Sequence, residues 1–403
     1  MESRERPSAP SARRTSAYER SSIDQSIRGI PLAELLIMAR RHLVDRESAE
    51  EVCGDRFKPQ QFRQALFEAR RRGLLRQFVI LTPELSSVAS LDALAREVEE
   101  ASRRFRAGPP LRVHLVFGDR EVFDRTAASE PRDLLRSEDG RDLFLRNEAV
   151  VERIIDAGMD WISRELLPNE VFVPAWGSVV RRVVGGLRPW SVRARLENMS
   201  VVAGSGLLGV RAFADFEASN NARLAGEIFG TSRVHLLPLP FCLPGDQAQL
   251  DRLRQLKPVR ETEEWLKKAT MVVTSLQHFD SKRYSVVRHG LMSAEDAGRY
   301  AAAGAIGELA GVPFDEQGNE VSIAGYYFSG IRPGELKQTV GASERENPKI
   351  DKHDRRQREV IVLAGATASR IHPLSVTIRT GLVTRIVTDH VTAQALLKDF
   401  ERS

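Results

Sequence analysis

Three short stretches of this chain join residue types that can hold an anion or a polyol. Pro174-Ala175-Trp176-Gly177-Ser178 lies between an apolar run and an amphipathic one. A helix opening there presents backbone N–H groups beside the Gly177 turn and the Ser178 hydroxyl, a donor set suited to an anion; a plain tight turn is the alternative. Gly204-Ser205-Gly206-Leu207-Leu208-Gly209 matches G-x-G-x-x-G after an apolar run, the pattern of a dinucleotide loop. The next apolar run ends in Leu237-Pro238-Leu239-Pro240, with no acid to hold a ribose. Another ligand beside Ser205 and Gly206 is the better reading. Thr388-Asp389-His390 closes the last apolar run and sets a carboxylate where a ligand crevice opens.

A fourth stretch points to nucleic acid. Between Arg56 and Arg76 stand Arg56, Lys58, Arg63, Arg70, Arg71, Arg72 and Arg76 against the single acid Glu68. Phe62, Ala65, Leu66 and Ala69 recur at helical spacing in the same stretch, so one face is buried and the cations crowd the other. Concentrated positive charge on one element is the footprint of a phosphate backbone, or else a solvated helix face.

Other chemistries find no support. Cys53 and Cys242 are the only cysteines, too few for a disulfide framework or a zinc module. The eight histidines show no metal-ligand spacing, and no G-x-S-x-G nucleophile elbow occurs. Neither catalytic nor metal residues are assigned, and no cofactor is expected. No apolar run reaches the ~20 residues of a membrane span. Met1–Gln25 lacks the apolar core of a secretory signal, so a cytoplasmic protein is expected.

The elements that must position these residues follow from hydrophobic period. The length of 403 residues suits two domains. Residues 1–28, rich in Ser, Pro and Arg, are expected to be a disordered arm. Within 29–82, three short helices (31–40, 48–53 and 59–72) and a strand at 74–81 make a winged helix-turn-helix plan. From 86 to 403, short apolar strands alternate with amphipathic helices: a doubly wound, mostly parallel α/β sheet. Polar insertions are expected at 119–142 and 332–358.

The C-terminal segments resemble the SorC-type sugar-binding transcriptional regulators. Gly381 to Leu397 resembles the family's closing motif, and Gly304-Ala305-Ile306-Gly307-Glu308 with Asp315 to Gly318 its "GAVGD" and "D-x-x-G" segments. Val173 to Gly177 resembles the strand ending in "WG"; Asn221 to Ala225 with His235 to Pro240 resembles the "LA…hyLpaP" stretch. The matches keep their order over 149–400. Gln60 to Leu75 resembles the recognition helix, with Lys58-Pro59 where Ser-Arg is usual.

The resemblance implies a phosphosugar-isomerase-like domain binding a sugar or sugar phosphate, a DNA operator as partner, and a homodimer or homotetramer. Thr274-Ser275 replaces the family's "G-I-G", and Gly365-Ala366-Thr367-Ala368-Ser369-Arg370 its "GG…K" loop. An Arg fork can grip phosphate where Lys would. The expected effector site is therefore Gly177, Ser178, Ser205, Gly206, Thr274, Ser275, Gly365, Thr367, Arg370 and Asp389. The expected DNA-contacting residues are Lys58, Gln60, Gln61, Arg63, Gln64, Arg70 and Arg71. Two other readings are a sugar-phosphate-binding protein without DNA binding, and an isomerase or deaminase on the same sheet with Asp389 as its base.

Overall fold

The computed structural model describes residues 26–31, 34–35, 38–39, 49–71, 88–106, 108–126, 138–187, 196, 198–209, 216–245, 247–288, 290–338 and 358–402. The chain forms two compact units, one of residues 1–81 with 134–146, the other of 82–133 with 147–403.

The second unit is built on one sheet. Its strands are β1 (Arg112–Val116), β2 (Val171–Pro174), β3 (Ser200–Val202), β4 (Val234–His235), β5 (Met271–His278), β6 (Gly307–Leu309), β7 (Val312–Phe314), β8 (Glu359–Leu363) and β9 (Arg385–Asp389). They lie in the order β1-β9-β8-β5-β2-β3-β4, all parallel, with β6 paired antiparallel to the far half of β5 and β7 antiparallel to β6.

Burial on both faces explains the near-continuous apolar strands. Alternation divides them: Phe172, Val201, Val273, Ile361 and Val387 face one core, with Ile154, Val183 and Ala222 from helices Glu138–Glu165, Ser178–Gly186 and Ala218–Phe229. Val173, Val202, Val272, Val362 and Ile386 face the other, with Val98, Leu374 and Leu396 from helices Val88–Arg103, Ile371–Arg379 and His390–Arg402. A separate antiparallel ribbon joins Cys242–Pro244 to Tyr326–Phe328.

Both expected insertions contain ordered structure. In 119–142, Asp119 accepts a bond from Val122 N (3.2 Å) and caps a helix, Arg120–Arg125, that buries Val122 and Phe123. The helix expected at 149–166 begins at Glu138, with Leu143 and Leu145 buried. The polar composition of this stretch reads as loop from sequence alone; 127–137 lie outside the described residues. In 332–358, residues 333–338 are helical around the buried Leu336, and Arg332 pairs with Glu335 (2.7 Å). Residues 339–357 lie outside the described residues. β4 stops at His235 because Pro238 and Pro240 cannot donate to a ladder.

In the first unit the described order starts earlier than expected, since 26–28 belong to a hairpin pairing Ser26–Ile27 with Ile30–Pro31. Helices Ala49–Cys53 and Pro59–Arg71 pack around Ile30, Leu35, Phe62, Leu66 and Leu145. Of the helix expected at 31–40, Glu34, Leu35, Met38 and Ala39 are helical. The strand expected at 74–81 lies outside the described residues.

Candidate functional site

The chain changes direction at the middle of the sheet. From β2 it steps outward through β3 to β4; from β5 it steps the other way through β8 to β9. The loops leaving β2 and β5 therefore part, and a crevice opens at their carboxyl ends, the usual ligand position of such sheets. Its lining includes Trp176 to Val179 after β2, Ser275 to Gln277 on β5, Ser285 and Arg288 on a short helix, Glu308 on β6, Gly311, and Arg370 after β8.

The β2 loop is held by its tryptophan. Buried Trp176 donates from Nε1 to Ala310 O (2.8 Å), in the two-residue turn between β6 and β7. Ala310 (φ 52°) and Gly311 (φ 81°) give that turn its left-handed backbone. A Cβ on Gly311 would lie 2.2 Å from Trp176 Nε1, so only glycine fits. Tyr284 OH donates to Gly311 O (2.6 Å); burial pushes its pKa well up and keeps it a neutral donor.

Beyond this clamp, Gly177 (φ 120°) opens helix Ser178–Gly186 with no side-chain cap. Its own N–H is taken by Phe216 O (2.9 Å), which leaves the first-turn N–H groups of Ser178 and Val179 at the crevice, beside the exposed Ser178.

Two arginines share the crevice with that helix start. Arg370 closes the turn after β8 and donates from a terminal nitrogen to Gly365 O (2.8 Å). Exposed Arg288 forms no ion pair among the described residues. Glu308, nearly buried, and Gln277, half-buried, supply polar groups of the kind that select hydroxyls. Of the expected effector residues, Gly177, Ser178, Ser275 and Arg370 are thus brought together.

The rest of that set is used inside the fold. Ser205 bridges Gly330, and a Cβ on Gly206 would lie 2.2 Å from Leu239 O. The N–H groups of Leu208 and Gly209 go to Glu217 Oε1 (3.0 and 2.9 Å), and that of Leu207 to Leu239 O (2.7 Å). A carboxylate of the fold thus stands where a phosphate reading of the glycine loop needs its ligand.

Thr274 is fully buried, accepting from Ala310 N (3.1 Å), because alternation turns it away from Ser275. Thr367 is 2% exposed and pairs with Ser369 (3.4 Å). Asp389, read as facing the crevice, is 1% exposed and the last residue of β9. It accepts from Ala366 N (2.7 Å), Val391 N (3.1 Å), Thr392 N (3.0 Å) and Thr392 Oγ1 (2.7 Å). It caps the last helix and fixes the 365–366 turn; a Cβ on Gly365 would meet it at 2.5 Å. His390, fully buried, accepts from Gly118 N (2.8 Å).

Sequence reasoning missed Glu308, Gln277 and Arg288. The acid ending Gly304–Glu308 was a usable sign for the first; nothing in the sequence marks the other two. Neither cysteine is a reactive site: burial pushes the Cys242 thiol up to about 12 and raises that of Cys53 as well. Among the described residues no cluster of potential metal ligands occurs, and no helix is long and apolar enough to cross a membrane.

In the first unit, Lys58, Gln60 and Gln64 are exposed on or beside helix Pro59–Arg71. Arg63 is tied to Glu50 (3.3 Å) on the preceding helix. Gln61 donates to Arg28 O (2.7 Å). The side chains of Arg70 and Arg71 lie outside the described residues, as do Arg72 and Arg76.

The chain has clear relatives in fold. The full-length sorbitol operon regulator SorC from Klebsiella pneumoniae aligns with a TM-score of 0.55 at 12% identity, covering 91% of this chain and 98% of that one. A probable sor operon regulator from Shigella flexneri aligns at 0.54 and 15%, covering 76% and 98%. A DeoR family transcriptional regulator from Listeria monocytogenes aligns at 0.54 and 13%, covering 76% and 99%. No curated protein matches the chain in sequence. Residues 141–340 match the family described as "Putative sugar-binding domain". That match takes in the crevice lining from Trp176 to Gly311, so residues 141–340 are similar to the sugar-binding domain family, and the chain has the fold of the SorC-type regulators.

Proposed function

We propose that the protein is a sugar-responsive transcriptional regulator whose crevice between β2 and β5 takes a phosphorylated sugar. The observation that carries this reading is the convergence of an uncapped helix start with Arg370 and Arg288 in one crevice, beside Glu308 and Gln277. Charge-assisted bonds from a guanidinium, added to helix N–H groups, suit a phosphate. A carboxylate and an amide suit the hydroxyls of its sugar.

The domain acts by binding rather than turnover. The sugar-binding family match and the engagement of Asp389 inside the fold support this. The helix Pro59–Arg71, with Lys58, Gln60 and Gln64 exposed, binds duplex DNA in the cytoplasm, and a homodimer or homotetramer matches a palindromic operator. Effector changes operator affinity through unequal binding to two states of the protein.

A thermal-shift screen of the full chain against sugars and their phosphates tests the first half, because a ligand of the folded state raises its apparent stability. Stabilisation by a phosphorylated sugar and not by its parent is the expected result. Salt-sensitive retention of duplex DNA, altered by the same compound, tests the second half. Turnover of the compound would replace the regulator reading with the enzyme one.

A further inference from the structure

The N-terminal hairpin carries an arginine in the wrong place for a turn. Residues Arg28 (φ 55°) and Gly29 (φ 78°) link Ser26–Ile27 to Ile30–Pro31, the pattern of a type I′ turn. Such turns favour Asn-Gly, because the first central residue must take up the left-handed region. An Arg there is strained by on the order of 1 kcal/mol or more. The Arg28 side chain gains nothing in return among the described residues: it is exposed and makes no hydrogen bond or ion pair with them. Local rules are broken in this way where a function needs the residue.

The turn is nevertheless held firmly. Ile30 is fully buried in the unit's core, and Gln61 Nε2 donates to Arg28 O (2.7 Å). Gln61 sits in the first turn of helix Pro59–Arg71, on the flank of its outward face. Phe62, Ala65 and Leu66 are buried, so Gln60 and Gln64 point the opposite way, with Gln61 on one side and the Glu50-bound Arg63 on the other. The hairpin therefore brings a charged tip alongside the face of the helix that presents Gln60 and Gln64.

We infer that Arg28 is a phosphate-contacting residue of the DNA interface, and that Gln61, expected from the sequence to touch DNA itself, is instead the positioning residue that fixes the Arg28 turn against the reading helix. This rests on the regulator reading above. The probe would be 30-bp duplexes enriched by the wild-type full chain from a randomised pool, with binding measured across a salt series.

Arg28→Asn suits the turn better than Arg and removes the charge. It is expected to fold at or above the wild-type melting temperature, to bind roughly fivefold to tenfold more weakly, and to lower the log–log salt slope by about 0.9, the value for one lost phosphate contact. Arg28→Lys is expected to recover most of the slope. Gln61→Ala is expected to weaken binding with the salt slope nearly kept, since it frees the turn without removing a charge. Wild-type affinity and slope in Arg28→Asn would overturn the inference while leaving the regulator reading intact. Absence of salt-sensitive DNA binding by the wild type would overturn both.

Discussion

Two loops on neighbouring strands each carry a Gly-Ser pair and have opposite fates. After β2, Gly177 and Ser178 open a helix whose first N–H groups keep no partner from a capping side chain. After β3, the glycine loop 204–209 matches a phosphate-binding pattern more closely, yet Glu217 and Leu239 take its N–H groups. Glycine spacing gives a backbone the freedom to aim its donors. Whether a ligand or the protein meets them depends on the acceptors brought there by distant chain. An open loop is a candidate site; a closed one is architecture, and substitutions should separate the two.

The largest effect is expected at Asp389, which belongs to the closed class. Four donors share its buried carboxylate, so Asp389→Ala should lose roughly 3–4 kcal/mol in denaturant unfolding. It should also loosen the turn that carries Arg370. An unchanged unfolding midpoint would return Asp389 to the crevice as a ligand contact. Glu217→Ala comes next, losing about 1.5–3 kcal/mol of stability, the range for bonds to a charged group. If this variant kept full stability, the glycine loop would count as open and its phosphate reading would revive.

Arg370→Ala tests the open side. Titration calorimetry should show a phosphorylated sugar bound more weakly by about 1.5–3 kcal/mol, and the unphosphorylated parent barely changed. Equal losses for both would place Arg370 outside the phosphate subsite. Ser178→Ala should have the smallest effect, about 0.5–1.5 kcal/mol on ligand affinity, with the melting temperature of the unliganded protein unchanged. A fall in that melting temperature would show Ser178 to be part of the framework instead.

The sequence by itself determined the periodic part of the molecule. Alternating apolar strands and amphipathic helices fixed the parallel sheet, because burial on both faces demands apolar strands wherever they occur in the order. Helix Ser178–Gly186 and helix Ala218–Phe229 lie where their periodicity puts them, and Gly230 (φ 71°) ends the second as a left-handed cap. The opening of the crevice beside the Gly177 turn, and the place of Arg370 in it, were legible from strand-end logic and from family resemblance.

Polar composition misled at two helix starts: Asp119 caps helix Arg120–Arg125, and helix Glu138–Glu165 begins inside a stretch whose composition reads as loop. Tertiary structure alone decided which polar residues are spent on the fold. Asp389 meets Ala366 across 23 positions, Trp176 meets Ala310 across 134, and Gln61 meets Arg28 across 33. A hydrogen bond needs its two atoms within about 3 Å, and local sequence carries no information on which distant segment arrives at that distance. The same holds for Arg288, Gln277 and Glu308, which become neighbours of Ser178 only because the sheet reverses its order between β2 and β5.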